Sequence, residues 1–508
     1  MRLFSKTQYQ MGRQCPRALW LKSHRPELYT SPDSLRTDAG HEVGRLAKVY
    51  FGKTEEIEQT WDFEAMAART REPMEDGSLD GICEATFLWR GLVCMVDILH
   101  RVPGGWEIVE VKSTSSTKPH HVFDVAFQHY VASKCGVRVA KDYLMHLDGA
   151  YVRGEELDIH GLFALDDVTF KVSEMVNSPE CGVPPAIEGE IARFLELVEP
   201  GSDDPGTGIG CHCEKPHECG FKAHCWSWIP ENSVFEISGM TTKRAFSLMD
   251  EGILTMKDFL GRPEALRKLQ DRQAYQVMAA AKEGPKARVR KEKVKEWLDS
   301  LSYPLYFLDF ETFQPPLPLY SQTRCYEQVP SQWSIHWVDS PGGELHHAEF
   351  LAKEGTDPRR PLAEALVAAI PPEARTMAYN MSFEKGVIKR LSETYPDLSG
   401  HLMAIYDSMV DLMVPFKNGD YYMAAQGGSY SIKYVLPAMF PPDECPELDY
   451  KRLEGIRNGS MAMEAYLGLA KRPAEEVPAI REQLLRYCEL DTLAMVRIWQ
   501  RLESECRS

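Results

Sequence analysis

The chain has 508 residues, enough for two to four domains with ample apolar core. Hydrophobic residues make up 44% and charged residues 26% of it, which is typical of a soluble globular protein. No apolar run reaches the roughly 18 residues that a membrane span needs. The first twenty residues lack the apolar block of a signal peptide, so we expect a cytoplasmic protein.

The net charge of −17 argues against non-specific binding to nucleic acid, because phosphates repel a uniformly acidic surface. Acidic side chains gathered in buried metal sites could carry part of that charge, with basic patches elsewhere. The net charge alone does not separate a uniformly acidic surface from an enzyme whose acidic residues are concentrated in its sites.

The sequence divides into three predicted domains. Residues 1–230 begin near a cysteine and end in a cysteine cluster that follows a loop rich in Gly, Pro and Asp. Residues 231–300 have apolar residues at helical spacing, which predicts a small helical linker domain weakly similar to a helix-hairpin-helix unit. Its basic end, residues 281–297, is either a helix that contacts phosphates or a solvated linker helix. Residues 301–508 alternate strand-like and helical patterns, which predicts an α/β domain.

A predicted hairpin in the first domain carries the first group of chemical residues. Two apolar strand-like runs flank the turn VPGG; Asp97 interrupts the first run, and Glu110 and Lys112 lie near the end of the second. Residues two apart on a strand share a face, and the hairpin can bring Asp97 beside them. Such a group can hold Mg²⁺ or Mn²⁺ and activate water against a phosphodiester. The alternative is a surface hairpin with a cross-strand salt bridge.

This arrangement, with the motif EVKS at residues 110–113, resembles the RecB-type PD-(D/E)xK nucleases. The resemblance implies a restriction-endonuclease-like fold. In it Asp97 and Glu110 bind the metal, and both acids and Lys112 are catalytic residues. It implies His41, on a predicted helix, as a further metal ligand; an ordinary helix histidine is the alternative. It also implies that Gln128 and Tyr130, on the helix after the catalytic strand, approach DNA.

Four cysteines lie within fifteen residues, in the stretch CHCEKPHECGFKAHCW. In a reducing compartment such a cluster indicates a metal site rather than disulfides. One branch of the RecB-type nucleases, which includes the CRISPR-associated adaptation exonucleases, carries an iron–sulfur cluster. Its ligands are one early cysteine and three late ones, and QCPRALW resembles the early position. The resemblance implies a 4Fe–4S cluster held by Cys15, Cys213, Cys219 and Cys225. Cys211 competes with Cys213, and a self-contained zinc knuckle is the alternative.

The third domain contains four spaced acids and a tyrosine. YFLDFET places Asp309 and Glu311 two residues apart at the end of a predicted strand. Glu384 follows at the start of a predicted helix, after another apolar strand. Tyr487 and Asp491 are four residues apart on a predicted helix and therefore share a face. Acids in this order can supply the oxygen ligands of a two-metal site.

The order of these segments resembles the DnaQ-like exonucleases of the RNase H-like fold, and Tyr-x₃-Asp marks their tyrosine subclass. The resemblance implies that the four acids hold two Mg²⁺ or Mn²⁺ ions while Tyr487 orients the attacking water. Glu384 departs from the family, where most relatives have Asp, so Asp407 or Asp411 could replace it. Lys433, in GGSYSIK, is expected to contact substrate phosphates or, alternatively, to lie in an ordinary loop before a helix.

Together the resemblances cover roughly residues 1–230 and 300–508, and the arrangement looks like an uncharacterised bacterial family that joins these two nuclease types. They imply a metal-dependent DNA nuclease with two active sites, the second a 3′→5′ exonuclease. Single-stranded DNA or DNA ends are the expected substrate, as in DNA repair or phage defence. The alternatives are an RNA-directed nuclease and a nucleic-acid-binding scaffold with a degenerate site.

Overall fold

The structure is a computed structural model, and it describes residues 3–30, 37–178, 186–281 and 287–506. The protein is mixed α/β and divides into two units. Unit 1 comprises Met1–Ile229 and Pro315–Glu327, and unit 2 comprises Pro230–Gln314 and Gln328–Ser508. The division after residue 229 lies next to the expected domain boundary. The helical region expected to form a linker domain, residues 231–300, lies within unit 2.

Unit 1 is built on one sheet. Its strands are β1 (Phe4–Ser5), β2 (Thr54–Glu56), β3 (Gly81–Trp89), β4 (Leu92–Val102), β5 (Gly105–Lys112), β6 (Val139–Leu147) and β7 (Phe163–Asp167). The order is β2-β3-β4-β5-β6-β7, with β1 beside β4. β3, β4 and β5 run antiparallel, whereas β6 is parallel to β5. The predicted hairpin is confirmed, since Val102 pairs directly with Gly105.

The helices of unit 1 pack around this sheet. They are α1 (Lys6–Gln14), α2 (Pro16–His24), α3 (Thr37–Tyr50), α4 (Phe63–Glu75), α5 (His121–Lys134), α6 (Ile159–Leu162), α7 (Thr169–Val176), α8 (Ala186–Val198) and α9 (Lys222–Cys225). Ser5 and Gln8 form a capping box that starts α1, and Pro16 occupies the first turn of α2. Cys15 therefore lies at the junction of the two helices. α5 connects the parallel strands β5 and β6, and most of its side chains are buried.

The segment Pro315–Glu327 belongs to unit 1, although its neighbours in sequence belong to unit 2. Leu317 and Cys325 are buried in a core with apolar residues of α3, β4 and β5. Tyr326 donates a hydrogen bond to the carbonyl oxygen of Ser113, directly after β5. The structure thus differs from the single C-terminal domain expected from sequence, because apolar side chains of this segment complete the core of unit 1.

The strands of unit 2 are β8 (Ala287–Val289), β9 (Leu305–Phe313), β10 (Val329–Val338), β11 (His346–Leu351), β12 (Arg375–Ala378), β13 (Val410–Asp411) and β14 (Tyr421–Met423). The main sheet has the order β11-β10-β9-β12-β13. Its first three strands are antiparallel, and β9, β12 and β13 are parallel. β8 pairs with β14 instead. The expected basic helix is therefore wrong at β8, where backbone pairing with β14 replaces helix; residues 282–286 lie outside the described residues.

The helices of unit 2 are α10 (Thr242–Asp250), α11 (Pro263–Leu266), α12 (Asp271–Ala280), α13 (Lys291–Asp299), α14 (Arg359–Ala369), α15 (Ser382–Thr394), α16 (Ser399–Ser408), α17 (Val414–Lys417), α18 (Ile432–Met439), α19 (Gly459–Leu469) and α20 (Val477–Cys506). Side chains of β9 alternate between two cores. Phe307 packs against Trp499 of α20, whereas Leu308 packs with residues of α14, α15 and α16. α20 therefore covers one face of the sheet, and polar residues on that face meet this helix.

Candidate active sites

Three of the acids predicted in unit 2 converge on the sheet face that α20 covers. Asp309 and Glu311 project from β9 and Asp491 projects from α20, and one oxygen of each lies within 4.8 Å of the others. The two strand residues share this face because side chains alternate along β9. Carboxylate oxygens at this spacing can hold a hard divalent cation such as Mg²⁺ or Mn²⁺.

Glu384 lies in the first turn of α15 and is only 2% exposed. Burial and the charges of neighbouring acids, Glu384 among them, raise the pKa of Asp309 well above its usual value. Burial and the charge of Asp411 likewise raise the pKa of Glu384 to about 8. The Oε2 atom of Glu384 is buried and has no hydrogen-bond partner among the described residues. A buried, unpaired carboxylate oxygen beside other acids fits a cation site.

The two alternatives to Glu384 have different positions. Asp407 is exposed on α16. Asp411 is buried, and its Oδ1 accepts hydrogen bonds from the backbone N–H groups of Asn380 and Met413, both at 2.9 Å. Asn380 has a φ of 67°, which is uncommon for a residue other than glycine. Asp411 therefore holds the turn that leads into α15, and so it positions Glu384.

Two tyrosines contact Asp491. The hydroxyl of Tyr450 donates to its Oδ1 at 2.5 Å, and Tyr487, one helical turn earlier on α20, also hydrogen-bonds to it. Burial raises the pKa of Asp491 to about 6, and the bond from Tyr450 opposes that rise. Burial and the charge of Asp491 raise the pKa of Tyr487. Tyr450 was not predicted, because it lies in a short irregular segment outside every motif.

Two further side chains border these acids. Lys433, at the start of α18, is exposed, and its charge lowers the pKa values of Glu311 and Asp491. Burial and Asp491 have the larger effect on Glu311 and raise its pKa to about 8. The thiol of Cys488 is fully buried, with Sγ 3.7 Å from Oδ2 of Asp309. Cys488 was missed, although it directly follows a predicted site residue.

The three hairpin residues predicted in unit 1 are adjacent. The backbone N–H of Val111 donates to Oδ2 of Asp97 at 2.7 Å. Nζ of Lys112 lies 2.6 Å from Oε1 of Glu110. Burial and then the charge of Glu110 raise the pKa of Asp97 to about 7. An acid beside a second acid and a lysine can bind a divalent cation when it is ionised.

Glu110 is also held by side chains that the motif does not contain. Nζ of Lys6, in α1, lies 2.7 Å from its Oε1, and Gln128 of α5 donates to its Oε2 at 2.6 Å. Burial alone would raise the pKa of Glu110, but the charges of Lys6 and Lys112 hold it well below its usual range. Asp124, one turn before Gln128 on α5, lies 2.6 Å from Nζ of Lys112. Asp124 was not predicted, and its four-residue spacing from Gln128 was the sequence signal that could have identified it.

Gln128 and Tyr130 do not occupy the exposed positions that the expected DNA contact requires. Gln128 is completely buried and donates to the carboxylate of Glu110. Tyr130 is 5% exposed and donates to Oε1 of Glu188 at 3.0 Å. The expectation is corrected because α5 packs between the sheet and the helices α1, α7 and α8. Both side chains therefore form hydrogen bonds with other residues of the protein.

A cavity of about 600 Å³ opens beside Asp97, and His41 and Lys48 of α3 and Glu84 of β3 also line it. Glu84 has a φ of 57°, and the β3–β4 pairing is interrupted at this residue. Its carboxylate lies 2.9 Å from Nζ of Lys48, and its charge contributes to the raised pKa of Asp97. The structure therefore brings His41 and Asp97 to one cavity and adds Glu84. The sequence signal for Glu84 was an acidic residue inside an apolar run.

Four of the predicted cysteines line one small cavity: Cys15, Cys213, Cys219 and Cys225. Cys211 is exposed and is not among the residues that line it. No three of the described cysteines have sulfur atoms within 4.8 Å of one another. Thiolates that share one tetrahedral zinc ion lie about 4 Å apart. Four cysteine side chains around one cavity are a candidate metal site.

A family model matches part of the chain. The family model described as a domain of unknown function (DUF2779) matches residues 306–431. This stretch is less than half of the chain; it contains Asp309, Glu311 and Glu384 and ends before Asp491. No curated protein matches the chain. No helix of the described residues is long and apolar enough to cross a membrane.

Proposed function

We propose that the protein is a metal-dependent nuclease with one active site in each unit. The observation that carries the proposal is the convergence of Asp309, Glu311 and Asp491 within 4.8 Å beside the buried, unpaired oxygen of Glu384. Crowded carboxyl groups with raised pKa values are unfavourable when ionised unless cations neutralise them. The strand order β11-β10-β9-β12-β13 supports the RNase H-like, DnaQ-like assignment of unit 2.

The residues of unit 2 have distinct roles in this proposal. The four acids would hold divalent ions, which would supply Lewis-acid activation of a phosphodiester. Tyr487 orients the attacking water, and Tyr450 fixes one oxygen of Asp491 through its hydrogen bond. Asp411 keeps Glu384 in place through the turn before α15. Lys433 offers a positive charge to a phosphate at the exposed side of the site.

In unit 1 we propose a RecB-type PD-(D/E)xK site. The succession β3-β4-β5-α5-β6, with β5 and β6 parallel, supports this assignment. Asp97, Glu84 and His41 surround the cavity and provide oxygen and nitrogen ligands for a divalent ion. Lys112 stabilises the negative charge that develops on the phosphate. Glu110, the other expected metal ligand, is held in a fixed position by Lys6 and Gln128.

An iron–sulfur cluster of the 4Fe–4S type belongs to the same proposal, with zinc as the alternative metal. The four cysteines that line one cavity have the soft thiolate chemistry that such a cluster requires. A metal bound there would link the α1–α2 junction to residues 213–225, far apart in sequence. Such a metal would contribute to the stability of unit 1, because it would hold these two segments together.

The proposed substrate is single-stranded DNA or DNA ends. We expect the purified full chain to cleave labelled single-stranded DNA with Mg²⁺ or Mn²⁺. Asp97→Asn combined with Asp309→Asn should lower the rate by at least about 100-fold, because ligands that stabilise transition-state charge are lost. The two single variants assign the remaining cleavage to one unit. Asp407→Asn is the matched control, since this acid is exposed on α16 and is not among the clustered acids of unit 2's site.

Three results would count against parts of the proposal. Cleavage by the double variant at the wild-type rate would refute it. Faster cleavage of an RNA strand of the same sequence would replace DNA with RNA as the substrate. Absence of both cleavage and Mn²⁺ binding to the acids would identify a scaffold with degenerate sites.

A further inference from the structure

Two histidines of unit 2 face each other across neighbouring strands. His336 on β10 pairs directly with His347 on β11, and their ring centroids are 4.5 Å apart with an interplanar angle of 32°. Glu489 of α20 approaches the pair, so that one potential ligand atom of each residue lies within 4.8 Å of the other two. The nuclease proposal assigns no role to any of these three residues.

Thr492 determines which ring nitrogen of His336 is available. Its hydroxyl donates to the carbonyl oxygen of Glu489 at 3.0 Å, and its Oγ1 lies 2.8 Å from Nδ1 of His336. Oγ of Ser334 also lies 2.8 Å from this oxygen and 3.2 Å from Nε2 of His347. With the threonine proton directed at Glu489, Oγ1 accepts a hydrogen bond from Nδ1–H of His336. Nε2 of His336 then carries the lone pair that a metal ion requires. Metal-binding histidines are usually oriented in this way through their other nitrogen.

A fourth potential ligand lies on the same face. Glu349 follows His347 by two residues on β11, so both side chains point to the face that α20 covers. Its Oε2 lies 3.9 Å from Nε2 of His347. The side chains of His347 and Glu349 are 27% and 33% exposed, whereas His336 is 4% exposed. The group therefore has a buried side, formed by His336 and Thr492, and a side that an ion can reach from solvent.

We propose that His336, His347 and Glu489, with Glu349 beside them, bind a transition-metal ion such as Zn²⁺. Imidazole ligands favour such ions over Mg²⁺, whereas the all-oxygen set around Asp309 favours Mg²⁺ or Mn²⁺. The site goes beyond the nuclease proposal and does not depend on it. Glu489 lies between Tyr487 and Asp491 on α20. An ion bound by Glu489 and the two histidines therefore anchors this turn of α20 to β10 and β11.

Titration of the full chain with Zn²⁺, against a chromophoric chelator and in excess Mg²⁺, tests this site. His347→Gln and Glu489→Gln should each bind one Zn²⁺ fewer per chain than the unaltered protein. His346→Gln is the matched control, because it is the preceding residue on β11 and its ring stacks on Trp337. It should retain the full number. Zinc held by the cysteines contributes equally to all four proteins and cancels in the comparison.

Thermal unfolding provides an independent measurement. Zn²⁺ should raise the unfolding temperature of the unaltered protein and of His346→Gln more than that of the other two variants. Circular dichroism in chelator checks that each variant is folded. If His347→Gln does not fold, the comparison uses Glu489→Gln alone. Equal Zn²⁺ numbers and equal affinities in all four proteins would overturn the proposal. The group would then be a hydrogen-bonded link between the sheet and α20.

Discussion

Glu384 is one methylene longer than the aspartate expected at its position, and the structure shows where the extra length goes. Its side chain starts from the first turn of α15 and ends buried near Asp309, with one oxygen unpaired. Asp411, the nearest alternative ligand, instead holds the turn before α15. Sequence similarity alone left these two acids as competitors for one role. Their hydrogen bonds separate a residue that faces the site from one that positions it.

The raised pKa values predict how pH affects the metal-free protein. The pKa values of Glu311 and Glu384 are about 8 in the folded protein, compared with an ordinary 4.5. The unfolded chain therefore releases these protons near pH 4.5, while the folded protein retains them up to about pH 8. Since the folded state binds more protons in this window, the free energy of unfolding falls as pH rises through it. Glu384→Gln should remove part of that fall.

Urea unfolding in chelator between about pH 5 and pH 8 measures this effect. Glu393→Gln is the control, because Glu393 lies on the same helix with a side chain that is 63% exposed. It should show the same pH dependence as the unaltered protein. Mg²⁺ should flatten the dependence, because bound cations favour the ionised carboxylates. Parallel curves for Glu384→Gln and the unaltered protein in chelator would contradict the prediction.

Among the elements, the junction of α1 and α2 has partners that lie far away in sequence. Cys15 ends one helix and precedes the proline that begins the next, so its backbone position is set by two helix caps. Across the cavity lie cysteines about two hundred residues later in the chain. A metal bound there would join a helix junction to residues 213–225 through coordination bonds.

We expect Cys15→Ser to lose the bound metal and to lower the thermal stability of unit 1, because one of four ligands is removed. Cys211→Ser should retain the metal, since Cys211 is exposed and does not line the cavity. Iron and zinc assays of anaerobically purified protein, with thermal unfolding, measure both effects. Metal retained in Cys15→Ser and lost in Cys211→Ser would instead indicate a local zinc knuckle.

For the whole molecule, the order of the chain does not match the division into units. The segment Pro315–Glu327 lies between two strands of unit 2 in sequence, yet its apolar side chains belong to the core of unit 1. Unit 1 therefore completes its core only after the first strand of the other unit's main sheet has been synthesised. The folding of unit 1 depends on residues that a simple domain boundary near residue 230 would assign elsewhere.

Leu317 and Leu319 offer a matched test of this dependence within one segment. Leu317 is 6% exposed in the unit 1 core, whereas Leu319 is 43% exposed. Leu317→Ala should lower the free energy of unfolding of unit 1 by about 2–4 kcal/mol, because it leaves a cavity in packed core. Leu319→Ala should change it by less than about 0.5 kcal/mol. Urea unfolding monitored by hydrogen exchange of β4 and β5 amides measures the effect, and equal losses would contradict it.

Local patterns in the sequence were sufficient to predict several elements and the residues on them. The tight turn between Val102 and Gly105 follows from the turn residues VPGG between two apolar runs, and the strand that carries Asp309 follows from another apolar run. The shared helix face of Tyr487 and Asp491 follows from their four-residue spacing. These predictions succeed because backbone geometry alone determines which neighbouring side chains share a face. The mixed α/β class also follows from alternating strand and helix patterns.

Contacts between distant segments were decided only by the tertiary structure. The pairing of Lys6 with Glu110, the burial of Gln128 and the inclusion of Leu317 in unit 1 each depend on which surfaces pack together. The approach of Glu489 to a pair of histidines depends on strand register and on the helix that crosses it. A sequence specifies what each residue can bind, but partners separated by a hundred residues meet only because burying apolar surface determines how the elements pack.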